Sequence, residues 1–215
     1  MKTDPESFIR ANTALGTPPH VPEIQLHLAD EAHDLWLKTE EELDALGLPP
    51  PFWAFAWAGG QGLARHILDN PDLVRGKSVL DFASGSGLVA IAAKRAGAAR
   101  VTAADIDPWS ATAARLNAQA NTVDFDFTQS SLVGIDEGWD VMLAGDVFYD
   151  QAMTTSILPW FQGLARRGAQ VLIGDPGRSY CPRDGMQLLA TYQVPVTRAL
   201  EDSEIKRTSV FRLVA

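Results

Sequence analysis

Ser78-Val79-Leu80-Asp81-Phe82-Ala83-Ser84-Gly85-Ser86-Gly87 decides the fold of this chain. A short apolar run suited to a buried strand ends in Asp81 and Phe82, and two glycines one residue apart follow it. From Gly87 to Ala96 the apolar residues recur at helical spacing. Strand, glycine turn and helix in immediate succession form the repeating unit of an open parallel sheet. Gly85 and Gly87 let the backbone turn tightly and approach a ligand, and the helix start offers N–H groups without intrahelical partners. Ser86 stands where it would cap that helix.

Outward from this stretch the pattern repeats. Strands are predicted at Ser78–Phe82, Arg100–Ala104, Trp139–Ala144 and Gln170–Ile173, and helices at Gly87–Ala96, Pro108–Ala120 and Gln151–Arg166. Phe125–Phe127 is a weaker strand, and Thr191–Thr197 with Arg207–Val214 reads as an antiparallel ending. The fold class is therefore α/β: a doubly wound, seven-stranded, mostly parallel sheet whose last strand is antiparallel. Upstream, Pro5–Leu15 and Glu40–Leu46 read as short helices and Glu23–Leu28 as an edge strand. Pro49-Pro50-Pro51 is a stiff break before the aromatic stretch Phe52-Trp53-Ala54-Phe55-Ala56-Trp57, and Gly60–Asn70 reads as a helix stopped by Pro71. These features predict an N-terminal helix-and-strand extension, residues 1–59, that contributes to the cleft of one compact unit, residues 60–215.

Composition narrows the function classes. Among 215 residues, 18 are basic and 27 acidic, a formal net charge of −9, which opposes contact with phosphate backbones and anionic lipid. Neither nucleic acid nor membrane is an expected partner. No apolar run approaches the roughly 20 residues of a membrane helix. The opening residues resemble neither a signal nor a transit peptide. A single cysteine, Cys181, makes no internal disulfide, and the expectation is a soluble cytoplasmic protein. His20, His27, His33 and His66 lack metal-ligand spacing, so no metal is expected. No G-x-S-x-G elbow supports a serine hydrolase.

Two cofactors fit the glycine spacing. Gly85, Gly87 and Ala90 match the dinucleotide fingerprint, with Asp105 twenty residues after Gly85. Charge separates NAD from S-adenosylmethionine (SAM). Asp81 at the strand end would repel a pyrophosphate but favour the ammonium and sulfonium of SAM. The alternative for Asp81 is a solvated strand-end carboxylate. Asp105 is placed to accept ribose hydroxyls, whereas Asp107, just before Pro108, reads as a helix cap.

A second acidic segment is Gly145-Asp146-Val147-Phe148-Tyr149-Asp150. It follows a strand whose carboxyl end borders the expected cleft, which places Asp146 and Tyr149 at a substrate. Turn formation and packing are the alternatives for these two, and Asp150 reads as the cap of the next helix. Asp146 would align an amine and take its proton, with Tyr149 fixing the geometry. Trp57 would offer a ring face to a cation or simply pack; Trp53 reads as core. Gly174-Asp175-Pro176-Gly177 reads as a turn on the cleft side, where Arg178 would touch a substrate.

At these residues the chain resembles class I SAM-dependent methyltransferases of Rossmann-like fold. Within them it is similar to the lysine methyltransferases of the electron-transfer flavoprotein β subunit. The resemblance rests on Trp57 to Gln61, Leu68 to Pro71, Arg75 to Asp81, Asp105 to Pro108, Gly145 to Asp150 and Val171 to Arg178. It implies that Asp81, Ser84, Gly85, Gly87, Asp105, Ile106 and Gly145 hold SAM, with Trp57 and Ser130 near its adenosine or methionine. It also implies that Asp146 and Tyr149 hold a target lysine and that S-adenosylhomocysteine is the product. Ala83 departs from the glycine common in the superfamily, and Glu40–Pro51 looks long and acidic. The alternatives are methylation of a ribosomal protein or of a small amine such as nicotinamide, an NAD-dependent oxidoreductase, and a non-catalytic binding module.

Overall fold

The computed structural model describes residues 4–29, 50–196 and 204–214. In chain order these form α1 (Pro5–Asn12), β1 (Ala14–Gly16), β2 (Leu26–Leu28), α2 (Ala58–Asp69), β3 (Ser78–Phe82), α3 (Leu88–Arg95) and β4 (Arg100–Ala104). There follow α4 (Pro108–Ala120), β5 (Asp126–Thr128), β6 (Val141–Gly145), α5 (Gln151–Arg167), β7 (Gln170–Asp175), β8 (Met186–Pro195) and β9 (Ile205–Leu213). Seven of the strands make one sheet in the order β5-β4-β3-β6-β7-β9-β8. Neighbours from β5 to β7 run parallel, and β9 is antiparallel to both β7 and β8. The strand order reverses between β3 and β6, which opens a crevice beyond their carboxyl ends.

Alternation of side chains explains the two cores. Leu80 and Phe82 of β3 point to one face, where α5 brings Ile157, Trp160 and Phe161. Val79 points to the other, under Leu63 and Ile67 of α2 and Val89, Ala90 and Ala93 of α3. Phe82 meets Trp160 and Phe161 edge-on at 5.1 and 5.7 Å between ring centres. Such pairs each add roughly 0.5–1.5 kcal/mol beyond the area they bury.

One contact sets the position of the site. The first turn of α2 lies backbone to backbone on the ends of β6 and β7, and only glycines permit the approach. A Cβ on Gly145 would stand 2.8 Å from Cα of Gly60, and one on Gly174 would collide with the carbonyl oxygen of Gly59. Further along α2, a Cβ on Gly62 would meet Thr208 of β9 at 2.6 Å.

Some predicted boundaries shift. The expected helix through Leu15 ends at Asn12, because Ala14–Gly16 pairs with Leu26–Leu28 as a small antiparallel sheet. β7 continues through Gly174 and Asp175, which pair with β9, so the turn begins at Pro176. Ser86 does not cap α3; Gly87 holds that position at φ +80° with no side-chain cap. Thr197 and the helix predicted at Glu40–Leu46 lie outside the described residues. No helix among the described residues is long and apolar enough to cross a membrane.

Gly145→Ala is expected to destabilise the protein by about 1–3 kcal/mol, as overpacking does. Gly163→Ala, in α5 where an added Cβ meets nothing within 4 Å, is the control. It is expected to stabilise by roughly 0.5–1 kcal/mol. Denaturant midpoints of the two variants against the parent check both signs.

Candidate active site

The crevice at the strand ends is a cleft of about 610 Å³, within the range of small-molecule sites. Its floor is Asp81, almost completely buried. Asp81 Oδ2 accepts the N–H of Ala90 at 2.9 Å, so the carboxyl caps the first turn of α3 from the preceding strand. Burial pushes this carboxyl from 3.8 up to about 8, the Ala90 N–H opposes that, and Asp105 adds repulsion. The solvated reading of Asp81 is thereby replaced: water is excluded from it.

Above Asp81 the glycine loop curls inward. Asp105 Oδ2 accepts the N–H of Gly85 at 2.8 Å, and Oδ1 accepts that of Asp107 at 2.9 Å. The carboxylate thus ties two loops together in the wall of the cleft. Ala83 sits at φ +54°, the left-handed region that costs a side chain roughly 1–2 kcal/mol. Here the departure from glycine has a structural price. Ser84 Oγ, among the lining residues, is buried and has no hydrogen-bond partner among the described residues, a demand that a polar ligand would meet. Asp107 accepts the N–H of Trp109 as the cap of α4, and burial raises its carboxyl to about 6. Ile106 stands three-quarters exposed at the rim.

The opposite wall carries the second acid. Asp146 is 8% exposed and adopts φ +59°. Its backbone N–H donates to the Gly174 carbonyl at 2.9 Å, and its Oδ2 accepts the N–H of Gly60 at 3.0 Å. One residue therefore staples β6, β7 and the start of α2, a helix whose own cap residue, Trp57, makes no side-chain cap. Asp146 Oδ1 accepts both Nε and Nη2 of Arg178, at 3.0 and 2.6 Å. Tyr149 stands at the mouth, half exposed, its phenol pushed above the usual range by burial and then by Asp150 and Asp105. Its ring centre lies 6.0 Å from that of Phe52. Asp150 accepts the N–H of Met153 at 2.7 Å, the cap expected of it. Trp57 Nε1 donates to the Phe52 carbonyl, and the Trp57 ring lies 5.9 Å from the Arg178 guanidinium carbon.

Most of the residues expected at a ligand thus meet in one cleft: Trp57, Asp81, Ser84, Gly85, Asp105, Ile106, Gly145, Asp146 and Tyr149 all line it. Gly87 and Ser130 do not. Gly87 lets α3 pack closely on α4, where a Cβ would meet Ala114 at 3.1 Å, and Ser130 is exposed beyond β5. Trp53 is core, stacked on Trp109. Phe52 and Phe55 line the cleft without having been singled out, though the aromatic run around them was the available signal. The Asp146–Arg178 pair had no local signal, since it joins residues 32 apart. Burial and then Asp175 push the Cys181 thiol up to about 12, so it is protonated at neutral pH.

A seven-stranded sheet with β9 reversed, and a cleft built on strand-end acids and a glycine loop, make up the architecture also found in solved SAM-dependent methyltransferases. The magnesium protoporphyrin IX methyltransferase from Synechocystis PCC 6803, solved with bound SAM, shares this fold at a TM-score of 0.53 and 18% identity over 72% of this chain and 77% of that one. The family model described as ribosomal protein L11 methyltransferase (PrmA) matches residues 65–145. Closer likeness lies in the electron-transfer flavoprotein β-subunit lysine methyltransferase of Xenopus laevis, 43% identical over 82% of this chain and 72% of that protein. That of Danio rerio is 36% identical over 97% of this chain and 83% of that protein. The chain belongs to this family of SAM-dependent protein-lysine methyltransferases.

Asp81 sets a pH dependence of stability. Its folded value near 8 lies above the unfolded 3.8, so the folded state holds the extra proton between them. Stability is expected to fall as pH rises across that window and to level off beyond it. Asp81→Asn, which still accepts from Ala90, is expected to flatten the fall and to melt several degrees higher than the parent at the top of the window. Thermal melts at stepped pH check this.

Proposed function

We propose that this protein transfers methyl groups from SAM to lysine side chains of the electron-transfer flavoprotein β subunit, in the cytoplasm. The observation that carries the substrate is likeness along nearly the whole chain to methyltransferases of that name. The L11 methyltransferase match ends at Gly145, just before Asp146 and Tyr149. It therefore speaks for the cofactor half of the cleft and not for a ribosomal target. The lone cysteine fits a reducing compartment.

The residues divide by charge and burial. Asp81 and the unpartnered Ser84 hydroxyl suit the amino-acid end of SAM, and Asp105 suits its ribose. Trp57 and Phe52 form an aromatic wall, and Ile106 offers an apolar rim. When bound, SAM supplies a sulfonium methyl: the amine lone pair forms the C–N bond as the C–S bond breaks, and that electron pair stays on sulfur as S-adenosylhomocysteine.

Asp146 and Tyr149 are then left for the amine. A lysine ammonium has a reference pKa of about 10.4, so presenting it neutral at pH 7 costs roughly 4–5 kcal/mol. Asp146 already accepts from Gly60 and Arg178. A carboxylate so engaged is a better orienter of an amine than an acceptor of its proton. Tyr149, whose phenol stays protonated at neutral pH, fixes the direction of the nitrogen lone pair.

Purified protein, methyl-labelled SAM and lysate from cells lacking the gene form the test. Label is expected in one protein band with the mass of the flavoprotein β subunit. Asp146→Asn is expected to lose about 100-fold or more of the transfer, in the range of a positioned polar group, while binding SAM normally. Asp81→Asn is expected to bind SAM about tenfold more weakly by calorimetry. Label confined to small molecules would move the assignment to a small-amine methyltransferase.

A further inference from the structure

The lysine reaction meets an electrostatic conflict in this cleft. Asp105, Asp107 and Asp146 line it beside Asp81, which burial pushes up to about 8, and Asp150 adjoins Tyr149. Carboxylates draw an ammonium in and then oppose the loss of its proton, although only the neutral amine has a lone pair to share. Among the described lining residues, Arg178 carries the positive charge.

Arg178 is held from three sides. Asp175 Oδ1 accepts the N–H groups of Gly177 at 2.7 Å and Arg178 at 2.8 Å, which folds the chain beyond β7 back toward the cleft. The guanidinium donates two hydrogen bonds to Asp146 Oδ1, and its carbon lies over Trp57. The Arg178 side chain is 20% exposed and that of Asp146 10%, so water screens the pair weakly. A guanidinium also keeps its charge at any pH at which an enzyme works.

We infer that Arg178 is the positioning residue of the lysine site: clamped on Asp146 and laid over Trp57, it offsets the carboxylate's charge, so that an amine brought to Asp146 and Tyr149 gives up its proton to water more readily than the acids alone would allow. Arg178 acts through Asp146 and the local field rather than by bonding the methyl group's acceptor. The inference rests on the lysine reading given above.

Other groups share this field. The end of β7 contributes Asp175 and the loop after it the neutral Cys181 thiol, β6 and its loop contribute Tyr149 and Asp150, and α2 contributes the Gly60 N–H. From β3 and the loop after β4 come Asp81, Asp105 and Asp107, of which Asp81 and Asp107 titrate near 8 and 6. The limb of a pH profile that belongs to the amine must therefore be identified by changing the amine. A target lysine replaced by S-(2-aminoethyl)cysteine, whose thioether makes the amine more acidic, moves that limb and no other.

The experiment measures kcat and KM against pH for the parent, Arg178→Gln and Arg178→Lys, on the purified flavoprotein β subunit and its aminoethylcysteine form. SAM affinity is read by calorimetry in parallel. Arg178→Gln is expected to bind SAM as the parent does, with KM equal or lower. Its amine limb is expected to move up by about one pH unit, with kcat down about tenfold at neutral pH and recovered above the limb. Arg178→Lys, which restores the charge, is expected to return the limb toward the parent. If Arg178→Gln loses SAM binding, Arg178→Met, which keeps the stem over Trp57, carries the same expectation. A kcat lowered equally at every pH with the limb unmoved would make Arg178 a structural prop and overturn the inference. A raised KM with unchanged kcat would overturn it in favour of a direct contact with the target protein. A parent inactive on the flavoprotein, despite normal SAM binding, would overturn both this inference and the substrate reading beneath it.

Discussion

The first turn of α2 rests on the ends of β6 and β7 with no side chain between them, and the site depends on that contact. Gly59, Gly145 and Gly174 meet Gly60 where a Cβ on any of those three would collide with backbone or with Asp146. The close approach brings the Gly60 N–H to the Asp146 carboxylate and the Gly174 carbonyl to the Asp146 N–H. Trp57, just before α2, is carried over the cleft by the same contact. A residue at φ +59° persists only where its surroundings over-determine it, and here three chain segments do so.

Aspartate is used in two ways that reinforce each other. Asp4, Asp107 and Asp150 cap α1, α4 and α5 from the residue before each helix. Asp81 and Asp146 cap α3 and α2 from strand ends, across the fold. The first arrangement stabilises a helix locally. The second uses the same interaction to anchor a carboxyl group in the wall of the cleft. The cost is visible at Asp81, whose carboxyl burial pushes up to about 8.

The two walls differ accordingly. The β3–β4 wall is a glycine loop with strained Ala83, a tied Asp105 and an unsatisfied Ser84 hydroxyl, all suited to a nucleotide cofactor with an amino-acid tail. The β6–β7 wall pairs an acid with a guanidinium beneath aromatic rings, an arrangement suited to a long cationic side chain. Likeness to the L11 methyltransferase family covers the first wall, and likeness to the flavoprotein lysine methyltransferases covers both.

The sequence by itself determined the strands and helices from Ser78 to Arg167. These carry their own apolar period and glycine or proline punctuation, and α4 and α5 also carry their own aspartate caps. Ser78–Phe82, Arg100–Ala104 and Pro108–Ala120 begin and end where their periodicity does. Asp105 and Asp146 were legible because strand ends in a parallel sheet border the crevice. The β1–β2 pair was not, because three residues have too little pattern to outweigh an adjoining helix. Tertiary structure alone decided that Asp81 is dry, that Ala83 is strained, that Ser130 stands away from the cleft, and that Arg178 closes on Asp146. Burial, backbone strain at a loop and a salt bridge across 32 residues depend on which distant segments meet, and no local period encodes that meeting.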